Sequence, residues 1–442
     1  MPNRGRGAAD AGGIVTTAAP SRIEEFATHG SEPTRRSQRV AFVTTNFWPE
    51  RTGISQTVSE FAQFLAGHGI DVSVATALPY YPEWRIWDGY RSALWRTERR
   101  GGMTIRRTWH FVSPEPSTIT RLLHEVTLSL FGAPRILQAI WGADVVYVVS
   151  PGLSYACIGM LLSKLARRRT VLIVKDVMPD AAIELGMLRS RFLITVSRAL
   201  ARWIYRRADE IHTLGEGMRR RITRDVETSK VRVVPDTIDG AELEPVAPEA
   251  NEFRRRYVPA GTFAVLHSGN MGQKQDLDLL LRTAIRYKDD PGVHFYVFGD
   301  GAAKERFLRT RDEMGLRNVS HHPLQDRGML RHMLSGADVV LISQLPKVVD
   351  IVVPSKLLTA MGAGAMIAAA CATESETARL VRESGGGILV PASDDEALAG
   401  VIQRIRTSAV NVERMRRLAR EFALQHFERV AVYGPLLKQL SA

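Results

Sequence analysis

Two cysteines in 442 residues, Cys157 and Cys371, are too few and too far apart for a disulfide framework. Both stand in apolar surroundings and read as buried free thiols, which suits a reducing compartment. No stretch of about 18 residues is continuously apolar, so no membrane span is expected. The N-terminus, MPNRGRGAADAGGIVTTAAP, has basic residues but no sustained apolar core leading to a cleavage site. Residues 1–37 therefore read as a disordered tail and not as a signal peptide. No zinc-ligand spacing and no nucleic-acid motif is present, and no D-x-D lies at an obvious strand end. No bound metal and no nucleic-acid partner are expected. The full G-x-G-x-x-G signature is missing, as is the acidic residue that follows a first strand in dinucleotide sites. A nicotinamide-dependent enzyme is poorly supported on those grounds.

What is present is apolar substance and positive charge. The chain is 45% hydrophobic and too long for one core, so two domains are the natural reading. The net charge is +12. Much of it sits in short arginine runs, such as Arg99–Arg100, Arg167 to Arg169 and Arg219 to Arg221. Such runs keep a protein soluble, and they also attract phosphates or an anionic membrane.

Hydrophobic patterning alternates between periods of two and of three to four. RVAFVTTNFWPE (Arg39–Glu50) reads as a strand. Val58, Phe61, Ala62, Leu65 and Ala66 then give a helical face, and HGIDVSVAT turns into a second strand. MTIRRTWHF, DVVYVVSP, TVLIVKD, EIHTL and VRVVPD continue the strands, with helices over 119–140, 153–166 and 191–207. A polar, acidic, proline-containing stretch, TIDGAELEPVAPEANEF (Thr237–Phe253), interrupts the alternation. A second set follows: TFAVLHSG, VHFYVFGD, NVSHH, ADVVLIS, AMIAAA and GGILV, each followed by a helix. The expected organisation is a first Rossmann-like domain over 38–240, a linker over 241–255 and a second Rossmann-like domain over 256–410. Helices over 411–442 then cap the second domain or cross back to the first. The fold class is α/β: two doubly wound parallel sheets facing a central cleft, with ligands outside the strand ends.

Three segments of the second half carry candidate phosphate chemistry. HSGNMGQK follows a strand and precedes a helix. Gly269 lets the backbone approach a ligand, Asn270 follows it, and Lys274 supplies countercharge. VFGDGAAKE places Gly299 and Gly301 after the next strand, where the loop can lie under a base. In VVPSKLLTAMGAG, Pro354 pre-sets a bend, Ser355 is placed to cap a helix, and Lys356 sits in its first turn. A cation there opposes the helix dipole unless an anion is present. Each segment also reads as an ordinary turn or a snorkelling surface lysine, and the residues alone leave both readings open. In the first half, NFWPERTGIS carries Asn46 and Gly53, and Gly53 begins a loop-to-helix turn facing the expected cleft. His110 lies near a strand end as a candidate base or sugar contact. Asp176, in KDVMPDAAIELG, is a hydrogen-bonding group for a sugar or acceptor, or else a helix cap.

Taken together, these segments resemble retaining glycosyltransferases of family 4, with the two-domain GT-B fold. NFWPERTGISQTVSEFAQFLAGHGIDVSVAT is similar to that family's opening strand, glycine loop and first helix. ALPYYPEW and KDVMPDAAIELG are similar to bacterial exopolysaccharide transferases of the colanic-acid type. VVPDTID, HSGNMGQKQDLDLLLRTA, VFGDGAAKE and VVPSKLLTAMGAG extend the resemblance over roughly 38–425. It implies a nucleoside-diphosphate-sugar donor on the second domain, with Lys274 matching the conserved lysine near the diphosphate. Gly53 matches the N-terminal loop glycine near donor phosphate and acceptor. There are departures. Asn270 replaces a common arginine, Ile54 a second glycine, and Asp176 stands where many relatives use histidine. The family's two glutamates would fall at about Ile351 and at Thr359, and neither is glutamate here.

The implied reaction is transfer of a hexose-like sugar to a hydroxyl acceptor with retention, Asp176, Lys274 and Lys356 carrying the catalysis. Asn46, His110 and Asp176 face the acceptor. A glycan or glycolipid acceptor is expected, in the cytoplasm, with the arginine-rich first domain suited to peripheral contact at the inner face of the membrane. A nucleotide-sugar epimerase or hydrolase on the same fold, or a non-catalytic nucleotide-sugar-binding protein, are the competing readings.

Overall fold

The computed structural model describes residues 38–441 apart from 51–52, 116, 185–187, 189 and 350–354. The expected N-terminal tail lies outside the described residues. Among these, the first sheet has eight strands: β1 (Arg39–Val43), β2 (Asp71–Ala77), β3 (Trp95–Arg100), β4 (Met103–Thr108), β5 (Val145–Ser150), β6 (Arg169–Val174), β7 (Glu210–Thr213) and β8 (Val231–Val233). Their spatial order is β3-β4-β2-β1-β5-β6-β7-β8, parallel except for β3. The second sheet has six: β9 (Phe263–Ser268), β10 (Val293–Phe298), β11 (Val319–His322), β12 (Val339–Ser343), β13 (Ile367–Cys371) and β14 (Gly387–Pro391). Their order is β11-β10-β9-β12-β13-β14, with every pairing parallel.

Both sheets are covered on two faces, because parallel strands leave their connections to helices. Side chains alternate accordingly. In β1, Val40 and Phe42 join one core with Phe61 and Leu65 of helix Ile54–Gly67. Ala41 and Val43 join the other, with Ile136, Tyr155 and Ile204 from helices Thr118–Ile140, Leu153–Leu165 and Arg191–Arg207. Cys371 is buried, whereas Cys157 is only half-buried, and both are free thiols. No helix among the described residues is long and apolar enough to cross a membrane.

Three features differ from the sequence reading. The first strand ends at Val43 and not at Glu50. The backbone leaves the sheet at Thr44, whose hydroxyl donates to Asn46 O at 3.0 Å, so 44–50 becomes a loop over the strand end. Strand β3 was not anticipated. Its sequence, WRTERR, is polar, and it pairs antiparallel with β4 at the exposed sheet edge. The available sign was Gly101–Gly102, a two-residue hairpin turn with φ of 52° and 76°. The polar stretch after β8 also contains helix Glu252–Tyr257, too short for periodicity to show, capped by Asn251.

The last two helices divide between the halves. Helix Val412–Phe427 packs on the second half, Ala419 and Ala423 being buried beside helix Ser355–Gly362. Helix Arg429–Ser441 buries Tyr433, Leu436 and Leu440 in the first sheet's core. The Tyr433 ring lies 4.6 Å from Phe61 and 5.4 Å from Phe64, and its hydroxyl accepts from Thr237 at 3.3 Å. Tyr433→Ala should therefore cost about 3 kcal/mol. The measurement is urea unfolding, and an unchanged midpoint would show that this helix does not support the first core.

Candidate active site

Ligands of doubly wound sheets collect where the strand order reverses. In the first sheet that point is between β1 and β5, and in the second between β9 and β12. The loop after β1 carries Asn46 and Gly53. The loop after β9 carries Gly269, Asn270 and Lys274, and helix Ser355–Gly362 follows the connection from β12. Three of the segments singled out in the sequence thus follow strands at these points. Pro354, with Asp350 and Ile351, lies outside the described residues.

In the second half, two loops are pressed together. Gly269 N donates to Phe298 O at 2.8 Å and Met271 N to Asp300 O at 2.8 Å. A Cβ at Gly299 would stand 2.1 Å from Gly269 O, and one at Gly301 would stand 2.5 Å from Asn270 Oδ1. No side chain fits at either place. Both glycines are thus required by loop packing, whatever else the loop holds.

The Lys356 stem crosses Gly269, its Cε being 3.0 Å from where a Cβ would stand. Its ammonium reaches Asn270 O at 2.8 Å, His267 Nε2 at 3.1 Å and Gln275 Oε1 at 3.4 Å. Each is a neutral acceptor. Among the described residues no carboxylate lies within ion-pairing distance of Lys356. His267 is fully buried, and because Nε2 faces the ammonium its proton belongs on Nδ1, which has no partner. Burial and the neighbouring ammonium hold that ring neutral. Burial also pulls Lys356 down to about 7. The arrangement is a partly desolvated cation with no countercharge among the described residues. His267 and Gln275 were missed as partners. Two polar residues, His267 and Ser268, ending an otherwise apolar strand were the available sign.

Ser355 is the first residue of its helix and exposed, and its carbonyl accepts from Thr359 Oγ1 at 2.8 Å. At Thr359, where the resemblance puts glutamate, the hydroxyl is thus engaged within its own helix.

Lys274 is held from the opposite half, its Nζ 2.7 Å from Asp176 Oδ1. Below that pair, Met178 and Ala181 meet Leu345 and Val348 in a small apolar contact. The rest of the KDVMPDAAIELG segment is anchored within the first half. Lys175 pairs with Asp236 at 2.5 Å, and Arg221 with Asp180 at 3.2 Å and with Glu184. Of the carboxylates in that segment described as paired, only Asp176 reaches across.

In the loop after β1, Asn46 is fixed at both ends of its amide. Its Nδ2 donates to Glu50 Oε2 at 3.0 Å, and its Oδ1 accepts from Thr45 at 2.9 Å. Glu50 is buried, and its other oxygen accepts from Tyr80 N at 2.8 Å and Tyr81 N at 2.9 Å. Burial raises the Glu50 carboxyl, and these donors pull it back. Beneath it, fully buried Arg107 pairs with Glu98 at 2.8 Å and donates to Trp48 O. Glu50 escaped the sequence reading because its backbone partners, Tyr80 and Tyr81, lie 30 and 31 residues away. Gly53 precedes helix Ile54–Gly67, and among the described residues nothing lies within 4 Å of where its Cβ would be.

His110 stands elsewhere than expected. It is fully buried, its ring 4.8 Å from both Tyr80 and His124, with Nε2 unpartnered. Burial and the His124 ring lower it to about 3. It is a neutral member of an aromatic cluster beneath the loop and offers no face to solvent.

Comparison with known proteins agrees with this geometry. Residues 52–237 match the Glycosyl transferase 4-like domain family, and residues 262–408 match Glycosyl transferases group 1. The chain is 32% identical over 391 residues to the putative colanic acid biosynthesis glycosyl transferase WcaI of Escherichia coli (strain K12), covering 86% of this chain and 93% of that one. This chain belongs to that glycosyltransferase family. Among solved structures, HepE of Anabaena in complex with UDP-glucose superposes with a TM-score of 0.67 at 16% identity, over 91% of this chain and 99% of that one. WaaG, a glycosyltransferase of lipopolysaccharide biosynthesis, gives 0.65 at 15%, over 91% and 100%. The glycosyltransferase therefore has the GT-B fold.

The Lys356 environment has a consequence for stability. Its folded value of about 7 lies below the ordinary 10.5 of lysine, so the unfolded chain holds the proton more tightly. The burden on the fold is full below pH 7 and fades as pH rises toward 10.5. Lys356→Met should raise the melting temperature of the ligand-free glycosyltransferase, most below pH 7 and little at alkaline pH. Calorimetry over that range checks it, and a gain that does not vary with pH would contradict the assignment.

Proposed function

We propose that this glycosyltransferase moves a hexose-like sugar from a nucleoside diphosphate to a hydroxyl of a glycan or glycolipid, with retention of anomeric configuration. The observation that carries this reading is Lys356, a partly desolvated ammonium with only neutral partners beneath the loop bearing Lys274. A diphosphate would supply the missing charge. The complexes of HepE with UDP and UDP-glucose support the donor class, and the colanic-acid assignment of WcaI supports a role in polysaccharide biosynthesis.

In this reading the donor lies across the second half. The Asn270 N–H, beside Gly269, and the N-terminus of helix Ser355–Gly362 receive its phosphates. The Gly299–Gly301 loop lies toward the base. Lys274 exchanges Asp176 for a phosphate oxygen, and Asp176 is released beside the transferred sugar. Asn46, oriented by Glu50, and the turn at Gly53 receive the acceptor. His110 acts from beneath, keeping Tyr80 and its loop in place. The sugar's anomeric C–O bond to phosphate breaks, and a C–O bond to the acceptor forms on the same face. The acceptor's proton passes to the leaving phosphate oxygen. Charge growing on the diphosphate is offset by Lys274 and Lys356, which strengthens as water is excluded. No side-chain nucleophile is required. The acceptor is reached at the cytoplasmic face of the membrane, where the protein associates peripherally.

Two variants test the roles apart. Lys274→Ala should lower kcat/KM about a hundredfold, read by diphosphate release with and without acceptor. Turnover that needs no acceptor, or epimerised donor as product, would overturn the transferase reading. Asp176→Asn should tighten UDP binding by calorimetry severalfold, because Lys274 no longer has a competing carboxylate, while kcat falls. Weaker UDP binding in that variant would refute the exchange of partners.

A further inference from the structure

Helix Thr118–Ile140 is apolar on two opposite sides. Leu128, Ile136, Ala139 and Ile140 are buried against the first sheet. A second stripe, Ile119, Leu123, Val126 and Leu130, recurs at steps of four, three and four residues and faces outward. Ile119 is 72% exposed and Leu130 68%. Leu137 and Trp141, again four apart, prolong it, Trp141 being 84% exposed. A helix apolar on all sides is ordinarily enclosed on all sides. This one is enclosed on one.

Its neighbours repeat the pattern. Helix Leu153–Leu165 exposes Leu161 and Leu165, and helix Arg191–Arg207 exposes Phe192, Val196 and Leu200, each set at four-residue steps. The three helices lie side by side on one face of the first sheet. Their stripes make one surface, unlike the isolated apolar residues that any protein exposes.

The charges on the three helices are mostly positive. Helix Arg191–Arg207 has five arginines and no acidic residue. Arg198 and Arg202 are tied loosely to Asp180 and Asp225 on the flank. Arg191, Arg206 and Arg207 have no carboxylate partner among the described residues. The other two helices bring Arg121, Arg135 and Lys164 and one carboxylate of their own, Glu125, with Lys164 tied to Asp209 at 2.6 Å. The Glu125 carboxylate turns away to accept from Ser154 N at 3.1 Å.

We propose that this three-helix face seats the protein on an anionic bilayer, its apolar stripes entering the boundary between headgroups and acyl chains. Arginine stems extend along the apolar surface and carry their guanidinium groups to the lipid phosphates. The exposed indole of Trp141 suits the same depth. A second copy of the chain fits this surface poorly, since a two-fold contact would set arginines against arginines. In strand–helix units the helix starts at the carboxyl end of the preceding strand, so Ile119, Leu122 and Phe192 lie at the cleft end of the surface. A lipid-carried acceptor would therefore meet the protein beside the catalytic loops. This deepens the peripheral placement proposed above, and the surface itself does not depend on the donor assignment.

The test is flotation of the full chain with vesicles of phosphatidylcholine and phosphatidylglycerol in equal parts, and with phosphatidylcholine alone. Binding should favour the anionic vesicles and weaken with salt. The triple variant Arg191→Gln, Arg206→Gln, Arg207→Gln should partition about a hundredfold more weakly. Ile119→Ser, Leu130→Ser, Phe192→Ser should lose a comparable amount through the apolar term. UDP binding, measured on the same samples, should be unchanged and shows that the variants fold. Two results overturn the proposal: no preference for anionic vesicles, or a serine variant that floats like the parent. A dimer seen by sedimentation velocity and dispersed by the serines, without vesicle binding, also overturns it. Loss of UDP binding in the unaltered protein would instead sink the donor reading and leave the surface standing.

Discussion

A carbonyl oxygen occupies the place where a side chain at Gly299 would have to be. That close approach between the loops after β9 and β10 fixes where Gly269 and Asn270 run. Their position in turn gives Lys356 a path across Gly269 and a carbonyl to donate to. The ammonium is then held by His267, Asn270 and Gln275, none of which neutralises it. Two glycines, apparently passive, thus hold a charge where water cannot fully solvate it. The fold bears the cost of that charge.

The first half is organised around charges of the opposite kind, already satisfied. Glu50 joins the loop after β1 to the loop after β2 by accepting from Asn46, Tyr80 and Tyr81. Arg107 ties the same region to β3 through Glu98. These groups are fully partnered and set shape. Between the halves, the ion pair of Lys274 and Asp176 differs, because each member is a quarter exposed and open to exchange. Rigid walls with an exchangeable contact between them are what a cleft that admits and releases a charged substrate requires.

Much of the fold was legible because its strands are buried on both faces and therefore read as apolar runs. β5, β6, β10 and β12 stand out for that reason. Strand β3 did not, since an edge strand faces water and carries the composition of a loop. The site was legible where glycine and lysine share a strand-end loop, as at Gly269 and Lys274. It was illegible where the partner is distant in sequence: Asp176 lies 98 residues from Lys274, and Glu50 lies 30 from Tyr80. His110 shows the converse. Its place after a strand suggested a sugar contact, but Tyr80 and His124 pack over it and remove it from solvent.

By itself the sequence determined two doubly wound sheets, a glycosyltransferase lineage and two lysines after strands of the second half. Periodicity and local turn chemistry act within a few residues, and that range sufficed. The tertiary structure decided what those lysines touch: Lys356 neutral acceptors, Lys274 a carboxylate from the other half. It decided that the final helix buries Tyr433 in the first core. It also decided that helix Thr118–Ile140, apolar on both sides, has a covered side and a bare one. Burial and electrostatic pairing depend on which elements meet in space, and a linear pattern of apolar and polar residues does not contain that information.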